Sequence, residues 1–480
     1  MADEGLDSFE NSLFSSIRWN LILSFGGQLT GVAFTLILSR LLEPNDFGVM
    51  TATLAFVGLI ETFGSLGSAS ALTQRQVLSD RFYSAVMLIA GTSALFMMLV
   101  VWLSSPYIAS FYQNPDLESA FFLLSLTIPL QFLETFPLAE LQRRLLFEKI
   151  AVTSFFGIVI SGIVSVYLAY AGYGWVALVV RLLLAQGVRT FYFCFIAWPK
   201  FKFDPAIKEV KELVNYGVPQ SMSQFMLLFG RRIDDILIGK WMGTGTLGIY
   251  SLAYSLYMWP ISNIKGRISQ VVFAALSKVQ QDPVAMSYHY LKVVSLATLI
   301  AFPIIFGFAS VCDLAVPIVM GEKWLPAIPV LRILGVASLF EICVFPGAIF
   351  QAVGKTKTYL KIITITRIIA VSGILVGINF GLEGVAESVV VTSFISFFIH
   401  NYFVGSLIPL TNIAIMKIIT KNAFPAIVML LLVLLFRFAL GQYFTPVYQL
   451  VTAILLGGTF YGAFIKKFHP ELFTKPEVNE

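Results

Sequence analysis

Long apolar runs alternate with short polar interruptions along almost the whole chain. Stretches of about 20 apolar residues, enough for a helix to cross the hydrocarbon core of a bilayer, recur between Pro, Gly and charged residues. They predict seven spans at 18–40, 47–72, 83–104, 119–143, 151–171, 175–197 and 217–240. Seven more follow at 247–275, 289–318, 327–353, 358–379, 384–408, 422–440 and 446–465. The opening stretch, MADEGLDSFENSLFSSIRWN, is acidic and polar and lacks the basic start and small-residue cleavage site of a signal peptide, so the first span is expected to be a permanent helix.

Lys and Arg test this count independently, because they should crowd the loops on the cytoplasmic side of a membrane. The N-terminal side and the even-numbered loops hold 22 of them, against only Arg40, Lys240, Lys323 and Arg437 on the other side. Both termini are therefore expected in the cytoplasm, and no loop on the far side is long enough to form a domain.

The spans also repeat. A shift of 200 residues lays SRLLEPNDFGVMTATLA (39–55) on GKWMGTGTLGIYSLAYS (239–255), pairing Arg40 with Lys240, Phe47 with Leu247, Gly48 with Gly248 and Thr51 with Ser251. A shift of 209 lays ETFPLAELQ (134–142) on CVFPGAIFQ (343–351), and the same shift carries Gly172, Val176 and Ala177 onto Gly381, Val385 and Ala386. Span one matches span seven and span four matches span ten; six helices is an even number, so the two copies run parallel. The expected organisation is an N-terminal lobe over 1–199, a linker over 200–216, a C-terminal lobe over 217–410, and two further helices with a tail over 411–480. In the linker, KFDPAIKEVKELVNYG sets Ile207, Val210, Leu213 and Val214 on one helical face, the pattern of an interfacial helix.

Polar positions inside the spans fall on faces. On span one, Asn20, Ser24, Gln28, Gly31, Thr35 and Ser39 lie within an arc of about 100°. On span seven, Gln220, Gln224, Arg231 and Asp235 lie within about 60°, flanked by Asp234 and Arg232. The repeat maps one stripe on the other: Asn20 on Gln220, Ser24 on Gln224, Gly31 on Arg231, Thr35 on Asp235. Matching stripes are expected to face a shared aqueous cavity. Only the second copy is charged, in GRRIDDILIG (230–239). A charge near the bilayer centre costs roughly 2.5–3.5 kcal/mol on insertion scales. Pairing lowers that cost: Arg231 with Asp235 has i,i+4 spacing, and Arg231 with Asp234 and Arg232 with Asp235 have i,i+3 spacing. Such pairs can equally hold span seven in register with its neighbours. Glu61, Arg181, Arg367 and Glu387 are further charges inside spans, with Glu61 and Arg367 expected to line water; Arg189, Arg332, Glu134, Glu140 and Glu341 lie nearer span ends, where snorkelling is the expectation.

Composition narrows the classes. Hydrophobic residues are 58% and charged residues 12% of the 480, against about a quarter charged in soluble domains. The net charge of +5 resides at the cytoplasmic edge, where it favours anionic headgroups; no basic helix or aromatic platform points to nucleic acid. Cys194, Cys312 and Cys343 sit singly in apolar runs, without the spacing of a disulfide framework or a zinc site. No metal or organic cofactor is expected. Asp234-Asp235 has the start of a Mg²⁺-binding D-D-x-x-D, as in a prenyl-lipid enzyme, but Ile238 stands where the third carboxylate belongs.

The motif R-x-x-D-x-L-I-G-x-x-x-G in RIDDILIGKWMG (232–243), followed by TLGIYSLA (246–253) and preceded by LSRLLEPNDFGVMTATLAFVGLIETFGSLGSASALTQR from residue 38, resembles the Wzx-type polysaccharide exporters of the multidrug/oligosaccharidyl-lipid/polysaccharide superfamily. The resemblance covers residues 12–440. It implies an all-α polytopic protein of the bacterial inner membrane, with a V-shaped pair of six-helix lobes and two C-terminal helices. It implies a flippase that moves an undecaprenyl-diphosphate-linked oligosaccharide to the outer leaflet, a proton or sodium ion as coupling ion, and a polysaccharide polymerase complex as a partner. The cavity positions are then Arg231, Arg232, Asp234, Asp235, Gln220, Gln224, Asn20, Ser24, Gln28, Glu61, Lys265, Arg267 and Arg367. A drug exporter or a peptidoglycan-precursor flippase of the same superfamily is the alternative.

Overall fold

In a bilayer each backbone N–H and C=O must be satisfied inside its own segment, which restricts lipid-spanning chains to helices or closed barrels. The computed structural model of the protein takes the first solution. It describes residues 2–64, 68, 72, 79–200 and 202–468, and their side chains except those of 2–21, 216, 270, 271 and 274. Among these residues there are helices and no strands.

The first part of the chain forms α1 (Ala2–Leu41), α2 (Pro44–Gly64), α3 (Asp80–Tyr112), α4 (Asp116–Leu124), α5 (Thr127–Arg143), α6 (Phe147–Tyr170), α7 (Trp175–Ala197) and the 72-residue α8 (Ile207–Lys278). Then come α9 (Pro283–Val319), α10 (Ala327–Glu341), α11 (Pro346–Ala352), α12 (Thr356–Gly377), α13 (Gly381–Gly405), α14 (Asn412–Leu440) and α15 (Pro446–Phe468). Side chains cap the exposed starts: Ser79 accepts from the Phe82 N–H, Asp282 from those of Val284 and Ala285, and Thr411 from that of Ala414. Among the described residues eleven segments are long and apolar enough to cross a membrane; one of them, 356–405, holds both α12 and α13, and α8 is not among the eleven.

By contacts the chain divides into two units, Met1–Gly248 and Ile249–Glu480. In the first, α1 packs along α6, α6 on α7, α5 on α7, and α2 on α3. In the second, α9 packs on α14, α12 on α13, α10 on α13, and α14 on α15.

Three details refine the predicted elements. The span at 119–143 is two helices, α4 and α5, and the span at 327–353 is likewise α10 and α11, broken at 342–345 ahead of Pro346. Proline stops a helix by the missing N–H and by restricting the residue before it. Residues 207–216, expected as a separate linker helix, are the first turns of α8, which continues past Pro219. The apolar face of this stretch is partly turned inward, with Leu213 packed among Leu72, Phe82, Val86 and Phe136.

The duplication is visible in the backbone. α8 is interrupted at Gly243, whose φ of 82° and ψ of 164° lie outside the helical region; its counterpart at a shift of 200 is Glu43, in the connection between α1 and α2. Gly172 and Gly381, equivalent at a shift of 209, have φ of 85° and 82°. The start of α2 also crosses the restart of α8 after Gly243. A Cβ on Gly48 would lie 1.7 Å from the Thr244 carbonyl oxygen, and one on Gly248 would lie 1.8 Å from that of Pro44. Without a strong hydrophobic drive between helices in lipid, small residues that admit such close approach are what hold helix pairs together.

Candidate functional site

The charged part of α8 is anchored on α2 and α3. The Phe225 ring meets Phe63 at 5.4 Å between centroids, Gly239 lies against the Tyr112 ring, and Lys240 Nζ donates to the Phe111 carbonyl at 2.7 Å while sitting 4.4 Å over the Phe111 ring. Below Gly243, Asn114 Nδ2 donates to Thr244 Oγ1 at 2.9 Å and that hydroxyl donates to Asn45 Oδ1 at 2.5 Å, tying the tip of α3 to α2 and α8.

This anchoring sorts the four charges. Asp235 shares a helical face with Gly239 and is only 8% exposed. Of the pairings that helix spacing allows, the bridge that closes is Arg232 Nη1 to Asp235 Oδ2 at 3.1 Å, with the Arg232 side chain 36% exposed. Arg231 is exposed, with no carboxylate partner among the described residues, so the i,i+4 pair with Asp235 does not form. Asp234 is half-buried. Further up the stripe, Gln224 is exposed and Gln220 half-buried. The result is a buried carboxylate neutralised by a half-exposed arginine, next to an open cation.

Four residues of the α1 stripe share a cavity. Ser24, Gln28, Gly31 and Thr35 border an open cavity of about 600 Å³ between α1, α2, α6 and α7, and among the described residues none of α8 lines it. Arg181 of α7 lies in the same wall: Nη2 donates to the Gly31 carbonyl at 2.8 Å and Nη1 to Thr35 Oγ1 at 3.1 Å. The side chain of Asn20 lies outside the described residues. Glu61, on α2, accepts from Thr127 Oγ1 of α5 at 2.5 Å and has no cation partner among the described residues.

In the second unit Lys265 is turned inward, donating to the Glu341 carbonyl at 2.8 Å and lying 5.8 Å from the Phe345 ring, while Arg267 and Arg367 are exposed. Sequence reasoning missed Asp313 altogether. It accepts a two-pronged contact from Arg437, at 3.0 Å and 2.6 Å, and lies 3.5 Å from Arg332. Glu134 and Arg189, expected to snorkel, instead meet at 3.7 Å, with Gln186 and Thr190 also donating to the 7%-exposed Glu134. Only Asp313's position in the apolar run ASVCDLAV could have flagged it. Among the described residues no three His, Cys, Asp or Glu side chains group as a metal site.

Comparison with known proteins adds to this geometry. Residues 37–329 match the model of a family described as "Polysaccharide biosynthesis protein". The teichuronic acid biosynthesis protein TuaB of Bacillus subtilis is 24% identical over 355 residues, 73% of each chain. The lipopolysaccharide biosynthesis protein WzxC of Escherichia coli is 24% identical over 376 residues, 77% of this chain and 76% of its own. The succinoglycan biosynthesis transport protein ExoT of Rhizobium meliloti is 24% identical over 324 residues, 67% of this chain and 65% of its own. Among solved structures, the lipid II flippase MurJ in an inward closed conformation superposes with a TM-score of 0.77 at 17% identity, covering 95% of this chain and 99% of its own. An inward-facing multidrug transporter of the same superfamily does so with a TM-score of 0.59 at 18% identity, covering 79% and 95%. The fold is that of the multidrug/oligosaccharidyl-lipid/polysaccharide superfamily, and with well over half of its length matched, this multi-pass membrane protein belongs to the polysaccharide biosynthesis protein family.

Proposed function

We propose that the protein is a flippase that carries a lipid-diphosphate-linked oligosaccharide across the bacterial inner membrane by alternating access, with both termini in the cytoplasm. The observation that carries this reading is the family match over 37–329, which includes the charged segment of α8 on a superfamily fold shared with a lipid II flippase. In this reading Arg231, exposed and without a carboxylate partner among the described residues, supplies the positive charge that meets the diphosphate, and Gln224 offers a neutral donor two helical turns away on the same face. Glu61, which accepts from a hydroxyl, and Asp235, held by an arginine, are the carboxylates that take up a coupling proton or sodium ion. The protein performs no covalent step, since movement of the lipid across the bilayer breaks no bond. A polysaccharide polymerase is the partner that would consume the delivered lipid.

The test is reconstitution. Purified protein in liposomes carrying a fluorescent undecaprenyl-diphosphate sugar in the inner leaflet should expose the label to a membrane-impermeant quencher faster than protein-free liposomes do. Equal rates with correctly inserted protein would overturn the proposal.

A further inference from the structure

We infer that the cavity between α1, α2, α6 and α7 is a phosphate-binding site in its own right, with Arg181 as the counter-charge. Arg181 sits in the apolar run VALVVRLLLA near the start of α7, and a charge so placed needs a partner. Among the described residues no carboxylate pairs with it. Its contacts are the Gly31 carbonyl, the Thr35 hydroxyl and the Phe34 ring at 6.0 Å. Two carboxylates inside α2 and α5 are engaged elsewhere, Glu61 with Thr127 and Glu134 with Arg189.

A guanidinium has five N–H donors, and these contacts account for one from each terminal nitrogen. Stapling α7 to α1 would need the donors alone and not the charge; a neutral amide could serve the same carbonyl and hydroxyl. The repeat sharpens the point. The position equivalent to Arg181 in the second copy is Val390, while Gly31 and Thr35, which receive Arg181, correspond to Arg231 and Asp235. Both copies therefore place arginine at this level, from different helices: α8 carries its own, and α1 borrows Arg181 from α7.

The remainder of the cavity describes the ligand. Ser24, Gln28, Thr51 and Ser154 add hydroxyl and amide groups to the wall, and Leu23, Met50, Leu54, Phe155, Ile158 and Leu182 make it otherwise apolar. About 600 Å³ falls within the usual range of small-molecule sites, room for a headgroup and a short length of chain and too little for an oligosaccharide. The planar fork of arginine favours two-pronged binding of phosphate oxygens. The chemistry that fits is a phosphate group, borne on a lipid or free in solution. The inference does not depend on the proposed transport.

Binding isotherms on the purified full-length protein in detergent test it with three probes: inorganic phosphate, dioctanoylphosphatidylglycerol, and dioctanoylglycerol, which has the same chains and no phosphate. The anionic phospholipid should bind at least about tenfold more tightly than dioctanoylglycerol, the difference expected for a charge-assisted contact to phosphate. Arg181→Gln should erase that preference, Arg181→Lys should keep part of it, and the melting midpoint without lipid should stay that of the wild type in both. Inorganic phosphate binding as tightly as the anionic lipid identifies the free ion as occupant; selective response to the lipid identifies a headgroup. Two results overturn the site: Arg181→Gln retaining the wild-type preference, or both variants melting lower with their lipid preference intact, which would make Arg181 a staple.

Discussion

The Arg232–Asp235 pair separates a structural role from a transport role, because its two members can be removed singly or together. At 3.1 Å and an effective dielectric constant of about 20, their gross attraction is about 5 kcal/mol, and desolvating the 8%-exposed Asp235 cancels much of it. Removing one partner of a fully buried pair costs about 3–5 kcal/mol, largely from the charge left behind. The Arg232 side chain is 36% exposed and can turn to solvent, so Asp235→Asn should cost only about 1–3 kcal/mol. Arg232→Met with Asp235→Leu removes both charges and should stay within about 1 kcal/mol of the wild type. Stability is read from thermal unfolding in detergent, and function from the surface polysaccharide of cells that depend on this protein. The expected pattern is near-wild-type melting of the double variant with export lost. A double variant that melts and exports normally would show that neither the fold nor transport needs the pair, and the role given to Asp235 would fall.

Other substitutions follow from the same geometry. Arg231→Gln should lower export at least tenfold while changing stability by less than about 0.5 kcal/mol, since Arg231 is exposed; a matching loss of thermal stability would contradict this. Asp313→Asn leaves Arg437, whose side chain is 14% exposed, without its partner and should cost about 2–4 kcal/mol, whereas Arg332→Ala should cost under about 1 kcal/mol, both measured by chemical or thermal unfolding. Gly48→Ala puts a methyl 1.7 Å from the Thr244 oxygen and should cost about 3 kcal/mol or lower the folded yield outright, whereas Gly458→Ala, which meets nothing within 4 Å, should leave both unchanged.

What could be read along the chain was periodic or local. Apolar runs of spanning length, the parallel repeat and the grouping of Ser24, Gln28, Gly31 and Thr35 on one face need only helical geometry, and these four residues do line one cavity. The identity of the opposite wall was not readable, because it is set by which helices pack on α1: the stripe faces α6 and α7 there, and no α8 residue takes part. The partners of Asp313 lie 19 and 124 residues away, and in an apolar environment a charge is resolved by whichever opposite charge the packing delivers. Spacing on α8 allowed three ion pairs; the burial of Asp235 beside the Tyr112 contacts left one. The continuation of α8 back to Ile207 was missed because the charged stretch 208–212 and Gly217 read as a boundary, yet both are carried inside one long helix.

The crossing at Gly48 and Gly248 has a reciprocal form: the carbonyl at position 44 fills the space beside 248, and the carbonyl at 244 fills the space beside 48. Since these positions are copies of each other at a shift of 200, a site here touches its own duplicate, the relation that defines an isologous contact between identical subunits. A half-length ancestor could have made the same crossing with a second molecule of itself, and any change to its one glycine would have struck both sides at once. In a single chain that holds both copies the constraint is absent. Each side can now be altered alone, and the stripes above the crossing show what followed, with Gly31 and Thr35 in one copy and Arg231 and Asp235 in the other.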